Sequence, residues 1–384
     1  MSRKCRALSV CLLICFLAHL FSPPIFAAPA AKPSVSAQSA ILIEAESGDV
    51  AYEKNADARL PMASTTKIMT ALVALELASP TTLIQTDARA VGVEGSSIYL
   101  TEGETLTLEQ LLYALLLESA NDAAAAIAFG LCGSIEAFAE KMNEKAKLLG
   151  LSCTHFTNPH GLDNEMHYTT ARELAQIAAE VLKVPLLRTI VSTRKTTIPH
   201  AESNSTRLLV NHNKLLRLYE DCIGVKTGYT QRSGRCLVSA AERDGVTLIA
   251  VTLNAPDDWN DHTTMLDHGF SLYRSVKLCE AQELLFPLPL VGGNEDYVML
   301  GNRDGLTLTL PANNYAIEKV VECRRFEFAT VEEGEALGRV VFLADLDRDG
   351  KREIIGTVAL YALYTVEKRP SKQNFWTWFT SLFS

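Results

Sequence analysis

Strand-forming sequence stands at both ends of a long helical run, and a chain written that way has few architectures open to it. Ser39 to Ala45 alternates apolar residues, Ser47-Gly48-Asp49 turns, and Val50-Ala51-Tyr52 returns, which reads as a strand–turn–strand hairpin. Helical patterns follow. Ser64 to Leu77 holds no Gly or Pro and is rich in Ala, Leu and Met; Leu108 to Leu117 is amphipathic; Asp122 to Phe129 is alanine-rich; Ser134 to Leu149 ends at Gly150 as its C-cap. Thr170-Ala171-Arg172-Glu173 is a capping box opening a helix to Leu182. Strand patterns then return at Thr189 to Ile198, Leu208 to Asn211, Cys222 to Lys226, Arg235 to Ala241 and Thr247 to Leu253, and Thr263 to Leu278 reads as a closing helix. The front hairpin and the rear strands are expected to share one antiparallel sheet with the helices packed on it, an α+β domain over residues 38–278.

Beyond Cys279 the helical period is lost. Pro287, Pro289, Gly292-Gly293 and short β-rich segments (Leu306 to Leu310, Val340 to Leu343, Thr357 to Tyr364) describe a small all-β domain over 279–366. Asp345-Leu346-Asp347-Arg348-Asp349-Gly350 matches the start of a calcium loop, but the twelfth position is Gly356 rather than a bidentate glutamate. Between two strands it is more simply a hairpin turn.

The ends carry targeting signals. Arg3, Lys4 and Arg6 precede an apolar run from Ala7 to Phe21, and Ile25-Phe26-Ala27 ends in a small residue suited to signal peptidase; Pro23-Pro24 and His19 argue for a cleaved segment over 1–27. Residues 28–37 form a short linker. The tail, 367–384, places Phe375, Trp376, Phe379, Leu382 and Phe383 on one helical face behind Lys368, Arg369 and Lys372. Too short to span a bilayer, it suits peripheral attachment to an anionic membrane surface. The expected location is the outer face of the cytoplasmic membrane. A formal net charge of −9 argues against nucleic acid as a partner. Export leaves six cysteines in an oxidising setting, which permits a disulfide, Cys222 with Cys236 being the pair proposed from sequence. No Cys/His cluster points to a metal, and no cofactor is called for.

Three short motifs carry chemistry. In Ala63-Ser64-Thr65-Thr66-Lys67 the lysine stands three residues after the serine, on one helical face, so its amine reaches the hydroxyl. A helix N-terminus beside Ser64 favours negative charge on its oxygen, which completes an activated nucleophile. Ser119-Ala120-Asn121 falls at a helix–helix junction, where a second hydroxyl and an amide project into a cleft. Lys226-Thr227-Gly228-Tyr229-Thr230 ends a strand, where the glycine admits a substrate backbone and the lysine supplies a cation. His160 and His212 lie in loops placed to line the same cleft.

These motifs, in this order, resemble the set of the penicillin-binding proteins and class A β-lactamases. With Gly95-Ser96-Ser97-Ile98-Tyr99-Leu100, Phe156-Thr157-Asn158-Pro159-His160-Gly161-Leu162 and Ser239 to Gly245, the chain resembles the low-molecular-mass penicillin-binding proteins that are serine D-alanyl-D-alanine carboxypeptidases. The resemblance implies a transpeptidase/β-lactamase-like catalytic domain, a β domain and an anchoring helix. It implies removal of the terminal D-alanine from peptidoglycan stem pentapeptides and acylation by β-lactam antibiotics. Carried over by motif, Ser64 is the nucleophile and Lys67 its base; Ser119 and Asn121 relay protons and position the substrate. The N–H groups of Ser64 and Tyr229 form the oxyanion hole, and Lys226, Thr227 and Thr230 hold the terminal carboxylate. Ser233 stands where the family often has alanine. A β-lactamase and a non-enzymatic β-lactam sensor share the motifs. The first needs a deacylating glutamate in an E-x-x-N pattern, absent around Glu165; the second needs several N-terminal membrane helices.

Overall fold

The structure, a computed structural model, describes residues 32–200, 205–347 and 349–370. The targeting segment read over 1–27, the first four residues of the 28–37 linker and the aromatic part of the tail lie outside them.

The organising layer is a five-stranded antiparallel sheet in the order β2-β1-β9-β8-β7. The hairpin β1 (Ser39–Glu44) and β2 (Val50–Lys54) joins β7 (Cys222–Thr230), β8 (Gly234–Arg243) and β9 (Val246–Leu253), and Ile41 of β1 faces Val251 of β9. Every residue of β1 is buried, because both faces of the sheet are covered. Ile41 and Ile43 point into the larger core with Ile249 and Val251, whereas Ala40 and Leu42 point into a second core with Leu248, Ala250, Met265 and Leu266. The period of two sends alternate side chains to opposite faces.

The larger core is built from α1 (Lys67–Leu77, behind a 3₁₀ turn over Ala63–Thr66), α2 (Leu108–Leu117), α3 (Asn121–Cys132), α4 (Ile135–Leu148), α5 (Ala171–Lys183) and α6 (Pro185–Ser192). The helices start where local chemistry dictates. A complete capping box, Thr107 with Gln110, opens α2 and was not anticipated. The box expected at Thr170 is half made: its hydroxyl accepts from the Glu173 N–H at 3.1 Å, but the Glu173 carboxylate turns instead to the Cys153 N–H at 2.8 Å and the Thr154 hydroxyl. That carboxylate ties α5 to the loop leading into the site.

Four sequence expectations are corrected. Thr189 to Ser192, read as strand, completes α6: Pro185 takes the first helical position, and Leu187, Ile190 and Val191 bury at helical spacing. Packing overrides the β-branched residues there. The remaining strand is β5 (Lys195–Pro199), which pairs with β6 (Thr206–Val210) in a separate ribbon outside the sheet. The Arg207 guanidinium fastens that ribbon to the buried Glu104 carboxylate. The closing helix runs from Asp258 to Leu272 (α7), not to Leu278, because Tyr273–Cys279 is a strand pairing with Leu306–Pro311. Cys222 and Cys236 are both free thiols; they face Ala241 and Gly228 on the β7–β8 ladder and are not opposite each other.

Past α7 the described residues form only strands and turns, with a six-stranded sheet over its own core of Leu288, Val298, Leu300, Val340, Phe342 and Leu360. Asp345 to Gly350 closes the hairpin between strands Ala336–Ala344 and Glu353–Ala362, the Asp345 carboxylate accepting from the N–H groups of Asp349 and Gly350.

One glycine binds this framework to the motif at Ser64. Gly161 has φ +88°, and a Cβ there would stand 2.0 Å from the Ala63 carbonyl oxygen. Gly161→Ala is expected to cost at least about 1–3 kcal/mol from backbone strain alone, read as a lower midpoint in denaturant unfolding. An unchanged midpoint would mean that the two segments are not in contact.

Candidate active site

The first turn of the Ser64 helix is tight. Ala63 has φ +47°, the hydroxyls of Thr65 and Thr66 donate back to the carbonyls of Met62 and Ala63, and Ser64 is left half-buried at the cleft edge. Lys67 begins the α-helix proper and is fully buried. Its Nζ lies 2.9 Å from Ser64 Oγ, 2.7 Å from Asn121 Oδ1 and 2.5 Å from the His160 carbonyl oxygen.

Burial, and then the charge of Lys226, push the Lys67 pKa well below the usual lysine value, with a smaller opposing pull from Asp122. A neutral amine has two N–H groups and one lone pair. Two of its three neighbours, the Asn121 and His160 carbonyl oxygens, can only accept. The lone pair is therefore left for the Ser64 hydroxyl, which is the arrangement that lets the amine take that proton.

Asn121 is held from the other side. It is the first residue of α3, where its side chain does not cap the helix; instead its Nδ2 donates to the Glu94 carbonyl at 2.5 Å and its N–H to the Ser96 carbonyl. The next residue, Asp122, accepts from Ser97 Oγ and the N–H groups of Ile98 and Leu100. Together they fix the 94–100 segment along one wall. The sequence motif over Gly95 to Leu100 carries no sign of that role. Ser119, with φ +59°, lines the cleft, and its hydroxyl has no protein partner among the described residues.

The opposite wall is β7. A Cβ on Gly228 would lie 3.0 Å from Ser64 N and 3.1 Å from Met62 O, so the strand approaches the serine as closely as it does only because this residue is glycine. Thr227, Gly228 and Tyr229 line the cleft. Lys226 does not: it is buried, its amine donates to the Thr227 carbonyl at 2.8 Å, and burial pushes its pKa down to about 7. Thr230 turns away from the cleft, its hydroxyl engaged with Asp163 and Ser233. Ser233 in turn accepts from the Thr230 N–H, so the residue that departs from the family pattern fastens the β7–β8 turn.

The cleft encloses about 340 Å³ and is further lined by Ser96, His212, Lys214, Arg235, Asp258 and Trp259. His212 pairs with Glu118 at 3.2 Å. His160 reaches the site through its carbonyl, while burial holds its ring neutral at about pKa 3. Arg235, Asp258 and Trp259 escaped sequence reading, since no spacing links a strand residue to a helix start so far downstream. A wider depression of about 490 Å³ at Gln38, Glu53, Asn55 and Asp57 has no hydroxyl or thiol side chain in its lining.

Residues 27–257 match the family model described as D-alanyl-D-alanine carboxypeptidase, peptidase S11. The chain is similar to the D-alanyl-D-alanine carboxypeptidase DacF of Bacillus subtilis, 33% identical over 348 residues, covering 87% of this chain and 89% of that one. It is also similar to DacC of Escherichia coli, 33% identical over 310 residues and 76% of each chain. Among solved structures, penicillin-binding protein 5 of Haemophilus influenzae superposes with a TM-score of 0.67 at 27% identity, over 88% of this chain and all of that one. The match runs through the Ser64 turn and the glycine strand and across the whole central sheet, so this chain belongs to the peptidase S11 family of serine D-alanyl-D-alanine carboxypeptidases.

Proposed function

We propose that the chain removes the terminal D-alanine of peptidoglycan stem pentapeptides through an acyl-enzyme on Ser64. The observation that carries this reading is the buried Lys67 amine, with two carbonyl oxygens on its N–H groups and the Ser64 hydroxyl facing what remains. Lys67 takes the hydroxyl proton as Ser64 Oγ attacks the carbonyl of the D-Ala–D-Ala bond. The N–H groups of Ser64 and Tyr229 hold the oxyanion. The proton passes, with Ser119 as relay, to the leaving nitrogen, and D-alanine departs. Water then attacks the ester, Lys67 takes its proton, and the tetrapeptide and free Ser64 are restored. β7 lays Thr227, Gly228 and Tyr229 along the substrate, with its carboxylate end at that side of the cleft. A β-lactam offers Ser64 a strained amide and acylates it.

We further propose that the protein is exported and works at the outer face of the cytoplasmic membrane, held there by the aromatic face of the 367–384 tail. The basic and aromatic composition of that tail supports the reading.

Brief incubation of the mature protein with benzylpenicillin is expected to add one penicilloyl mass, lost in Ser64→Ala. The wild type is expected to release D-alanine from diacetyl-Lys-D-Ala-D-Ala. An adduct without release would indicate a sensor, rapid penicillin turnover a β-lactamase, and no adduct would refute the site. Because the base acts when neutral, the acylation rate constant should rise with pH to a midpoint well below the usual lysine value of 10.5. Removing the neighbouring positive charge in Lys226→Met should move that midpoint upward, since a like charge disfavours protonation. A midpoint that stays put would show that Lys226 does not act on Lys67. The mature chain should co-sediment with phosphatidylglycerol-rich vesicles and lose most of that binding in Trp376→Ser/Phe379→Ser; equal binding by both would exclude the tail as anchor.

A further inference from the structure

This inference rests on the reading above that the protein works at a membrane surface, and it concerns which face of the β domain meets the lipid. A strand lying on a core normally alternates apolar and polar residues, because its outer side chains stand in water. The strand Leu285–Val291 does not. It holds no polar side chain, and Leu285, Pro287, Pro289 and Val291 are all exposed on its outer side. Leu288 and Leu290 fill the core on the other.

The apolar face continues to both sides of that strand. Tyr297 is paired with Pro289 on one neighbour, and Phe328 stands in register with Val291 on the other. Phe326 meets Phe328 edge to face, with ring centres 5.5 Å apart. Leu285, Val291, Tyr297 and both phenylalanines are between 47% and 61% exposed, so the described residues leave the face open. A continuous apolar surface of this kind marks a contact with a partner or a membrane.

Two observations favour lipid. The first is that the strand edge is poorly made for a partner strand. The Leu290 N–H donates to the Asp296 carbonyl at 2.9 Å, so alternate residues turn their backbone groups to the outer edge, where Pro287 and Pro289 have no N–H to give. The second is where the chain leaves the domain. Lys368 pairs with Gly293, and Arg369 donates from its backbone N–H to the Gly292 carbonyl and from Nε to the Gly293 carbonyl, each at 2.8 Å. The segment leading to the aromatic tail therefore departs within two residues of Val291. Two acids at this rim are paired, Asp296 with Arg369 and Glu327 with Arg324.

We propose that the outer face of Leu285–Val291, with Tyr297, Phe326 and Phe328, lies in the interfacial layer of the bilayer beside the tail. Sheet face and tail form one continuous contact, with aromatic rings at headgroup level. A tail alone would let the catalytic domain swing about residue 370; the second contact sets how that domain stands on the membrane.

The test uses the mature chain and phosphatidylglycerol-rich vesicles. With the tail intact, Phe326→Ser/Phe328→Ser should lower the vesicle partition coefficient about 10-fold or more, the range for burying a large apolar side chain. Both rings being about half exposed, the variant should keep the wild-type denaturation midpoint. Location is read separately. Phe328→Trp is placed in a Trp376→Phe/Trp378→Phe background, where the other indole is Trp259 in the cleft lining. Its emission should be quenched by vesicles with brominated acyl chains, and that of the background should not. An unchanged partition coefficient in the serine variant, or quenching no greater than the background's, overturns the proposal. So does a probe shielded from aqueous iodide without vesicles: exposure by Phe379→Ser/Phe383→Ser would give the face to the tail, and exposure on dilution to a second copy. Tail-dependent binding with an unquenched probe sinks the sheet face alone, whereas no vesicle binding by wild type sinks the membrane reading itself.

Discussion

A primary amine without water around it governs this structure. Lys67 is buried in the core of the catalytic domain, where a charged ammonium is costly. Among the described residues it has no carboxylate partner at hydrogen-bond distance; its neighbours are an amide oxygen, a peptide oxygen and a hydroxyl. With a second buried lysine close enough to repel it, the neutral form is favoured in the folded state. The same burial that favours the neutral amine also demands that everything supplying its three neighbours be held rigidly.

That demand explains much of the surrounding architecture. Asn121 presents its oxygen to Lys67 only because its nitrogen is tied to Glu94 and its helix begins at that residue. The His160 carbonyl is aimed by a loop whose next residue, Gly161, is packed so hard on Ala63 that no side chain would fit. β7 closes the third side at the distance Gly228 allows, anchored by the β7–β8 ladder and the Ser233 turn. The central sheet, buried on both faces, is the rigid body to which these loops return.

The cleft wall facing β7 and α7 has a different logic. Here charge is kept in water's reach and oriented: Arg235 is forked onto Asp258 and lies by Trp259, while His212 is paired with Glu118. An amine kept neutral and a guanidinium kept charged need opposite environments. Burial supplies the first and the partly exposed start of β8 the second.

The sequence by itself determined the front hairpin, the helical run behind it and the returning strands, the α+β class and the three motifs around Ser64, Asn121 and Gly228. Those depend on local periodicity and on residues a few positions apart. It could not fix what depends on long-range packing. Thr189 to Ser192 is β-branched in composition yet helical, because Leu187, Ile190 and Val191 find a buried face. The closing helix stops at Leu272 because Tyr273–Cys279 finds a strand partner in Leu306–Pro311. Cys222 and Cys236 are close in sequence and lie on neighbouring strands, but the register sets them against other residues. Lys226, legible as a motif, proved to be a buried group rather than a cleft-lining one, and Arg235 took its place in the lining only through the meeting of β8 with the start of α7. Side-chain reach and solvent exposure are properties of the packed chain, and only the tertiary structure decides them.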